Sequence, residues 1–239
     1  MTNNALIFAG GVGVRMNSLA KPKQFLQLYG KEIIIHTLEN FQNNSLIDNI
    51  VVVCKDNWID FLKQLLNKYN IDKVKWIVPG GQTGQLSIYN GLCELEKHVE
   101  KESIVLVHDG VRPFINDKLI NDCIESVEKY GSAITVVPSI ETIVSIENDE
   151  IQTITDRSKC YHAKAPQCFY LGELLDAHKK ALKESITSMI DSASLMKYYG
   201  HSLHAVHGNY DNIKITTPTD FYTARALYEV RENQQIYGV

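Results

Sequence analysis

Short apolar, β-branched runs alternate with amphipathic stretches along most of this chain. Residues 4–9, Asn49-Ile-Val-Val-Val-Cys54, 73–78, Ser103-Ile-Val-Leu-Val-His108 and 132–138 read as strands. Between them 32–43, 56–69, 84–98 and 116–130 carry helical spacing. Continuous apolar strands alternating with helices predict an α/β fold, a mostly parallel sheet covered by helices on both faces. Ligands gather at the carboxyl ends of such strands. The turn at Gly10, the pair Gly80-Gly81 and His108-Asp109 each follow a strand, so all three are expected on one sheet edge.

The pattern changes after Pro138. Residues 139–146 and 150–156 read as two strands flanking Glu147-Asn148-Asp149, a hairpin. An isolated hairpin is marginal in water, so it is expected to pack on a partner, such as the same arm of a second subunit. A hairpin lying on its own domain is the competing arrangement. The tail resumes with helices near 171–183 and 191–199, a strand pair near 203–216 and a final helix from Pro218 that Thr216 or Thr217 can cap. With no linker, repeat or low-complexity segment, residues 1–239 are expected to form one domain.

The totals narrow the function. The 239 residues are 44% hydrophobic and 22% charged, enough for a sizeable core, and the net charge of −4 leaves no general footprint for nucleic acid. Any anion site must therefore be local. No basic-then-apolar leader opens the chain, and no apolar run approaches membrane-spanning length. Five scattered cysteines, Cys54, Cys93, Cys123, Cys160 and Cys168, form no CxxC or metal spacing. They read as reduced thiols of a cytoplasmic protein.

Candidate chemistry begins at Phe8-Ala9-Gly10-Gly11-Val12-Gly13-Val14-Arg15-Met16, followed by Pro22-Lys23-Gln24. Glycines let backbone N–H groups wrap an anion. Arg15 offers a planar fork and Lys23 a compact point charge, which suits a nucleoside triphosphate reacting at phosphorus. Lys21 is a rival to Lys23, and an ordinary βα turn with surface cations is the plain alternative. A second loop, Gly80-Gly81-Gln82-Thr83-Gly84-Gln85-Leu86-Ser87, can pass close to a base or ribose, unless it is only a βα loop with Ser87 as helix cap. In His108-Asp109-Gly110-Val111-Arg112-Pro113, Asp109 can hold Mg²⁺ or orient a polar substrate. Arg112 can hold a phosphate or lock Asp109. Arg157 and Lys214 are late cations. Lys214 lies in Asn212-Ile213-Lys214-Ile215, where strand alternation would set it opposite two apolar neighbours.

Together these segments resemble the cytidylyltransferases that charge small polyol phosphates with CTP, the 2-C-methyl-erythritol 4-phosphate and ribitol 5-phosphate enzymes. The match runs in unchanged order from the first strand to about Arg225. Ala-Gly-Gly-x-Gly-x-Arg-Met with Pro-Lys-Gln marks nucleotidyltransferases broadly. His-Asp-x-x-Arg-Pro, Pro166-Gln167-x-Phe169 and Asn-Ile-Lys-Ile-Thr-x-Pro-x-Asp are sharper. The resemblance implies a Rossmann-like nucleotidyltransferase fold with a protruding hairpin dimerisation arm near 139–162, a homodimer and Mg²⁺. It implies CTP binding by Phe8, Ala9, Gly10, Gly11 and the loop Gly81, Gln82, Thr83, Gly84, Gln85, Leu86 and Ser87. Arg15 and Lys23 would stabilise the transition state at the α-phosphorus. Arg157 and Lys214 would hold the acceptor phosphate, with Asp109 and Arg112 on the acceptor side and Asp109 the candidate metal ligand.

The chain departs from the family pattern at Gly84, where Arg is expected, at Ala165 and Ile190, where Thr is usual, and at Gly110, where Ala is usual. Val111-Arg112-Pro113-Phe114 and Pro22-Lys23-Gln24-Phe25 look more like the ribitol 5-phosphate branch, which implies CDP-ribitol as product and precursor supply for a surface polymer. The methylerythritol branch of isoprenoid synthesis stays open. So does a catalytically reduced nucleotide-binding protein, motivated by Gly84. A Rossmann dehydrogenase fails on Arg15-Met16 within G-x-G-x-x-G and on Cys54-Lys55 where an acidic residue should end the second strand.

Overall fold

The structure, a computed structural model, describes residues 1–10 and 21–237, with side chains to residue 233. Six strands run in one direction in one sheet: β1 (Asn3–Ala9), β4 (Asn49–Cys54), β5 (Val74–Pro79), β6 (Ile104–Asp109), β7 (Ser132–Pro138) and β11 (Ala205–His207), with β4 and β6 flanking β1. The order across that sheet is β11-β7-β10-β6-β1-β4-β5, where β10 (Tyr161–Tyr170) runs antiparallel between β6 and β7. Two short strands, β2 (Gln27–Leu28) and β3 (Lys31–Glu32), pair separately.

Strand alternation sorts the core into two layers. Ala5, Ile7, Ala9, Ile50 and Val52 face α1 (Ile33–Asn43), α2 (Ile59–Lys68) and α4 (Asp117–Tyr130). Leu6, Val51, Val53, Val105 and Val107 face α3 (Gly84–Glu96), α5 (Leu171–Lys183) and α6 (Ser192–Tyr198). A smaller cluster of Leu28, Ile33, Val111, Phe114, Ile215 and Ala224 seats α7 (Pro218–Tyr237).

The chain leaves β1 toward β4 and β5, then returns to the other side of β1 as β6. The crevice of such a sheet opens where the outgoing connections diverge. Phe8 and Asp109 are direct register partners at that point. The expected shared edge is therefore present, with Gly80 N–H bonded to the Cys54 carbonyl at 2.8 Å and Gly110 N–H to the Phe8 carbonyl at 3.1 Å.

The hairpin forms as β8 (Val144–Glu147) and β9 (Glu150–Ile154). Its two loop residues, Asn148 and Asp149, both have positive φ, 51° and 64°, the twist a two-residue hairpin favours and side chains that tolerate it. The expected strand pair near 203–216 is corrected. Only Ala205–His207 joins the sheet, and 212–216 is an extended segment held by the Ile215 N–H to Val111 carbonyl bond of 3.0 Å. Lys214 is thus not on a strand, although Ile215 is still buried beside it. The helix expected at 56–69 opens as a 3₁₀ turn at Asp56–Trp58.

Candidate active site

A cavity of about 330 Å³ opens at the β1/β6 crevice. Phe8, Gly84, Gln85, Asp109, Arg112 and Lys214 line it, joining residues expected on the nucleotide side to those expected on the acceptor side.

Asp109 is its electrostatic centre. The carboxylate is 5% exposed and accepts from Arg112 Nε at 2.7 Å and pairs with Lys214 Nζ at 2.5 Å. Burial pushes its carboxyl up, but the Lys214 and Arg112 charges and their hydrogen bonds outweigh burial and hold it at about 2. Arg112 also donates from Nη1 to the Asn212 carbonyl at 3.0 Å, and Asn212 donates to the Ala165 carbonyl at 2.7 Å. Of the two roles open to Arg112, locking Asp109 is the one the geometry builds. Both Asp109 oxygens are engaged by cations in this structure, Oδ2 by Arg112 and Oδ1 by Lys214. Among the described residues no cluster of three His, Cys, Asp or Glu can hold a metal ion.

His108 is fully buried. Burial drives its imidazole down to about 4 against the opposing Arg112 carbonyl bond of 3.0 Å at Nε2. A neutral ring locked to backbone at the strand end is structural.

The second loop is built by its own side chains. Thr83, not Ser87, caps α3, accepting from Leu86 N–H at 3.1 Å and donating to the Thr187 carbonyl at 2.5 Å. Gln85 donates to the Ile186 carbonyl and accepts from Met189 N–H, both at 2.8 Å. These two side chains tie α3 to the 186–189 segment. Ser87 Oγ accepts from Gly81 N–H at 3.0 Å and donates to the Thr83 carbonyl at 2.9 Å. A Cβ at Gly81 would sit 2.5 Å from Leu86 Cβ, which is why the turn needs glycine. A Cβ at Gly10 would lie 3.3 Å from Ser87 Oγ. The two glycine turns therefore meet at one hydroxyl. Leu86 packs part-buried, while Gln82 and Gly84 are exposed.

Lys23 lies in a 3₁₀ turn at Lys23–Phe25, fixed by Gln24 Nε2 donating to the Ala9 carbonyl at 2.5 Å. Its charge reaches Asp220, which accepts from the Thr216 and Thr217 N–H groups, while Thr217 Oγ1 caps α7 by accepting from Asp220 N–H at 3.3 Å. Lys21 pairs with Glu32 at 3.9 Å and lies over the Phe61 ring, which separates the two lysines by environment. Gly11 and Arg15 lie outside the described residues. Arg157 is not brought to the cavity. It is exposed beside the arm and donates to the Ile140 carbonyl at 3.0 Å.

Lys164, Gln167, His178, Asp191 and Ser192 also line the cavity. Gln167 bridges β10 to α6, donating to Asp191 at 2.8 Å and accepting from Ala193 N–H at 2.9 Å. The Pro-Gln-x-Phe motif announced Gln167, but Lys164 and His178 carry no motif.

The family profile of 2-C-methyl-D-erythritol 4-phosphate cytidylyltransferase, IspD, matches residues 4–230. The chain belongs to this family. It is a CTP-dependent cytidylyltransferase, which removes the dehydrogenase and catalytically reduced alternatives. A ribitol-5-phosphate cytidylyltransferase of Vibrio parahaemolyticus is 52% identical over 99% of this chain and all of that one. A 2-C-methyl-D-erythritol 4-phosphate cytidylyltransferase of Clostridium novyi is 41% identical over 95% of this chain and 96% of that one. The crystal structure of 4-diphosphocytidyl-2C-methyl-D-erythritol synthase from Anaerococcus prevotii superposes with a TM-score of 0.82 at 30% identity, covering 95% and 96% of the two chains. Among the described residues no helix of this cytidylyltransferase is long and apolar enough to cross a membrane.

Proposed function

We propose that this cytidylyltransferase transfers CMP from CTP to D-ribitol 5-phosphate, giving CDP-ribitol and pyrophosphate. The observation that carries the acceptor is the 52% identity, over full length, to a protein of that name, against 41% for the methylerythritol relative. Ala165 and Ile190, the two positions where a family threonine is replaced, both line the cavity beside Asp109. Their place there supports a change in the acceptor.

An oxygen of the acceptor phosphate attacks the α-phosphorus of CTP in line. The bond from that phosphorus to the bridging oxygen breaks, and pyrophosphate leaves with the electron pair. A phosphate monoester is already ionised at neutral pH, so no general base is needed. Lys214 and Arg112, fixed on Asp109, present positive charge to the acceptor without moving at the moment of reaction. Arg15 and Lys23 neutralise charge developing on the triphosphate. The glycine turn at Phe8–Gly11 and the Gly81–Ser87 loop hold the nucleotide. Mg²⁺ has no cage of protein ligands among the described residues, and as a hard cation it would take phosphate oxygens.

The arm is assigned to a homodimer. Ile146, Ile151 and Ile154 are 60–70% exposed on a two-stranded sheet that would be marginal alone. A second copy covers them, and Arg157, which stands off its own cavity, takes its role at the acceptor phosphate through that assembly. Five unpaired thiols suit a cytoplasmic enzyme.

Turnover of CTP with ribitol 5-phosphate and with 2-C-methyl-erythritol 4-phosphate, followed by pyrophosphate release, tests the reading. A higher kcat/KM for ribitol 5-phosphate is expected. Preference for the other acceptor overturns the acceptor, and turnover of neither overturns the reaction.

A further inference from the structure

We propose that Lys164 binds the phosphate group of the acceptor, as a cation of the cavity separate from the Asp109 cluster. The inference rests on the reading of the acceptor as a polyol phosphate.

Three basic side chains line the cavity among the described residues: Arg112, Lys164 and Lys214. Two are committed to one carboxylate, Arg112 at 2.7 Å and Lys214 at 2.5 Å from Asp109. Lys164 is different. Its half-buried ammonium donates to the Tyr210 carbonyl at 2.9 Å and pairs with no carboxylate among the described residues. An ammonium has three donors, so its charge and two of them remain for a ligand. Asn212 links the two sides of the gap. It accepts from Arg112 and donates to the carbonyl of Ala165, the residue after Lys164. Arg112 and Lys164 thus face one space from fixed backbone positions. Burial and the Arg112 charge disfavour the charged form of Lys164 and outweigh the Asp211 carboxylate, which favours it. A dianion between them would satisfy both cations at once, and the acceptor is the substrate that brings a phosphate monoester to this side. A purely structural Lys164, stapling β10 to the Tyr210 segment, is the rival.

The test compares unmodified protein with Lys164→Gln and Lys164→Arg. Calorimetric titration with ribitol 5-phosphate should show Lys164→Gln binding about 10- to 100-fold more weakly, the loss of one charge-assisted hydrogen bond. Lys164→Arg should recover most of that. In steady state the rise should fall on the acceptor KM and leave the CTP KM unchanged. Unchanged acceptor affinity in Lys164→Gln overturns the proposal. So does an equal rise in both KM values, or a lowered melting temperature with a loss that Lys164→Arg does not restore. If the unmodified protein turns over no polyol phosphate, the reading of the reaction fails by itself. Titration with inorganic phosphate then decides Lys164: weaker binding by Lys164→Gln supports it, and equal or absent binding sinks it.

Discussion

Asp109→Asn keeps the shape of the side chain and removes its charge, leaving Arg112 and Lys214 without the carboxylate they share. Two routes give the size of the effect. A carboxyl held at about 2 against an ordinary 3.8 corresponds to roughly 2–3 kcal/mol at neutral pH. Breaking a buried ion pair by removing one partner costs about 3–5 kcal/mol. Lys214 is 40% exposed and can turn toward water, which favours the lower figure. Urea denaturation at neutral pH should therefore show a loss of about 2–3 kcal/mol. The folded-state value of Asp109 is depressed, so its contribution is complete above pH about 4 and disappears as pH falls through about 2. The gap between variant and unmodified protein should narrow on acidification, and ~1 M salt should weaken it only in part, because Asp109 and Arg112 are shielded from solvent while Lys214 is not. Lys214→Met and the double variant complete a cycle whose coupling should exceed about 1 kcal/mol. A loss under about 0.5 kcal/mol, or a gap that widens toward pH 2, would refute Asp109 as the balancing charge.

Lys23→Ala should cut turnover by about 10²- to 10³-fold in a pyrophosphate-release assay, and unchanged turnover removes Lys23 from the mechanism. Ser87→Ala removes the partner of Gly81 N–H and of the Thr83 carbonyl, and should cost about 1–3 kcal/mol in denaturation. It should raise the CTP KM more than the acceptor KM, and the reverse order would reassign the loop. His178 is neutral in the fold, its imidazole driven by burial to about 4. The unfolded chain takes up a proton below about 6.5, so this residue removes stability as pH falls from there to about 4. His178→Leu should flatten that limb by up to about 1.4 kcal/mol per pH unit, and parallel limbs would exclude it. Serine at Ile146, Ile151 and Ile154 together should give monomers in sedimentation with little acceptor turnover, and a monomeric unmodified protein would end the dimer assignment.

Much of the frame was legible because its strands bury both faces. Runs such as Ile50–Cys54 cannot be placed in water, and the turns that follow them fall on one edge by geometry. The strand β10 was not legible. Pro166 argues against a central strand, and the structure accommodates it with a register shift between Ala163 and Gln167. The segment at 212–216 misled in the opposite sense, since its alternation reflects packing of Ile215 under α7 and not a ladder. Of the site, the Asp109–Arg112 lock was readable from an i, i+3 spacing after a strand. Its third member, Lys214, is about a hundred residues away and needed the fold. Lys164 was invisible because one lysine among small residues has no period. Arg157 stands off the cavity, exposed beside the arm and bonded to the Ile140 carbonyl, a placement that its sequence neighbours do not signal.

The cavity's charges have a consequence for acidity. Asp109, His108 and His178 change protonation only near or below pH 4. From there to neutrality these three groups present a constant field. A phosphate monoester loses its second proton near pH 6. The acid limb of the rate should therefore follow the ionisation of the substrate, shifting with the acceptor supplied and staying put when the protein is varied at these positions.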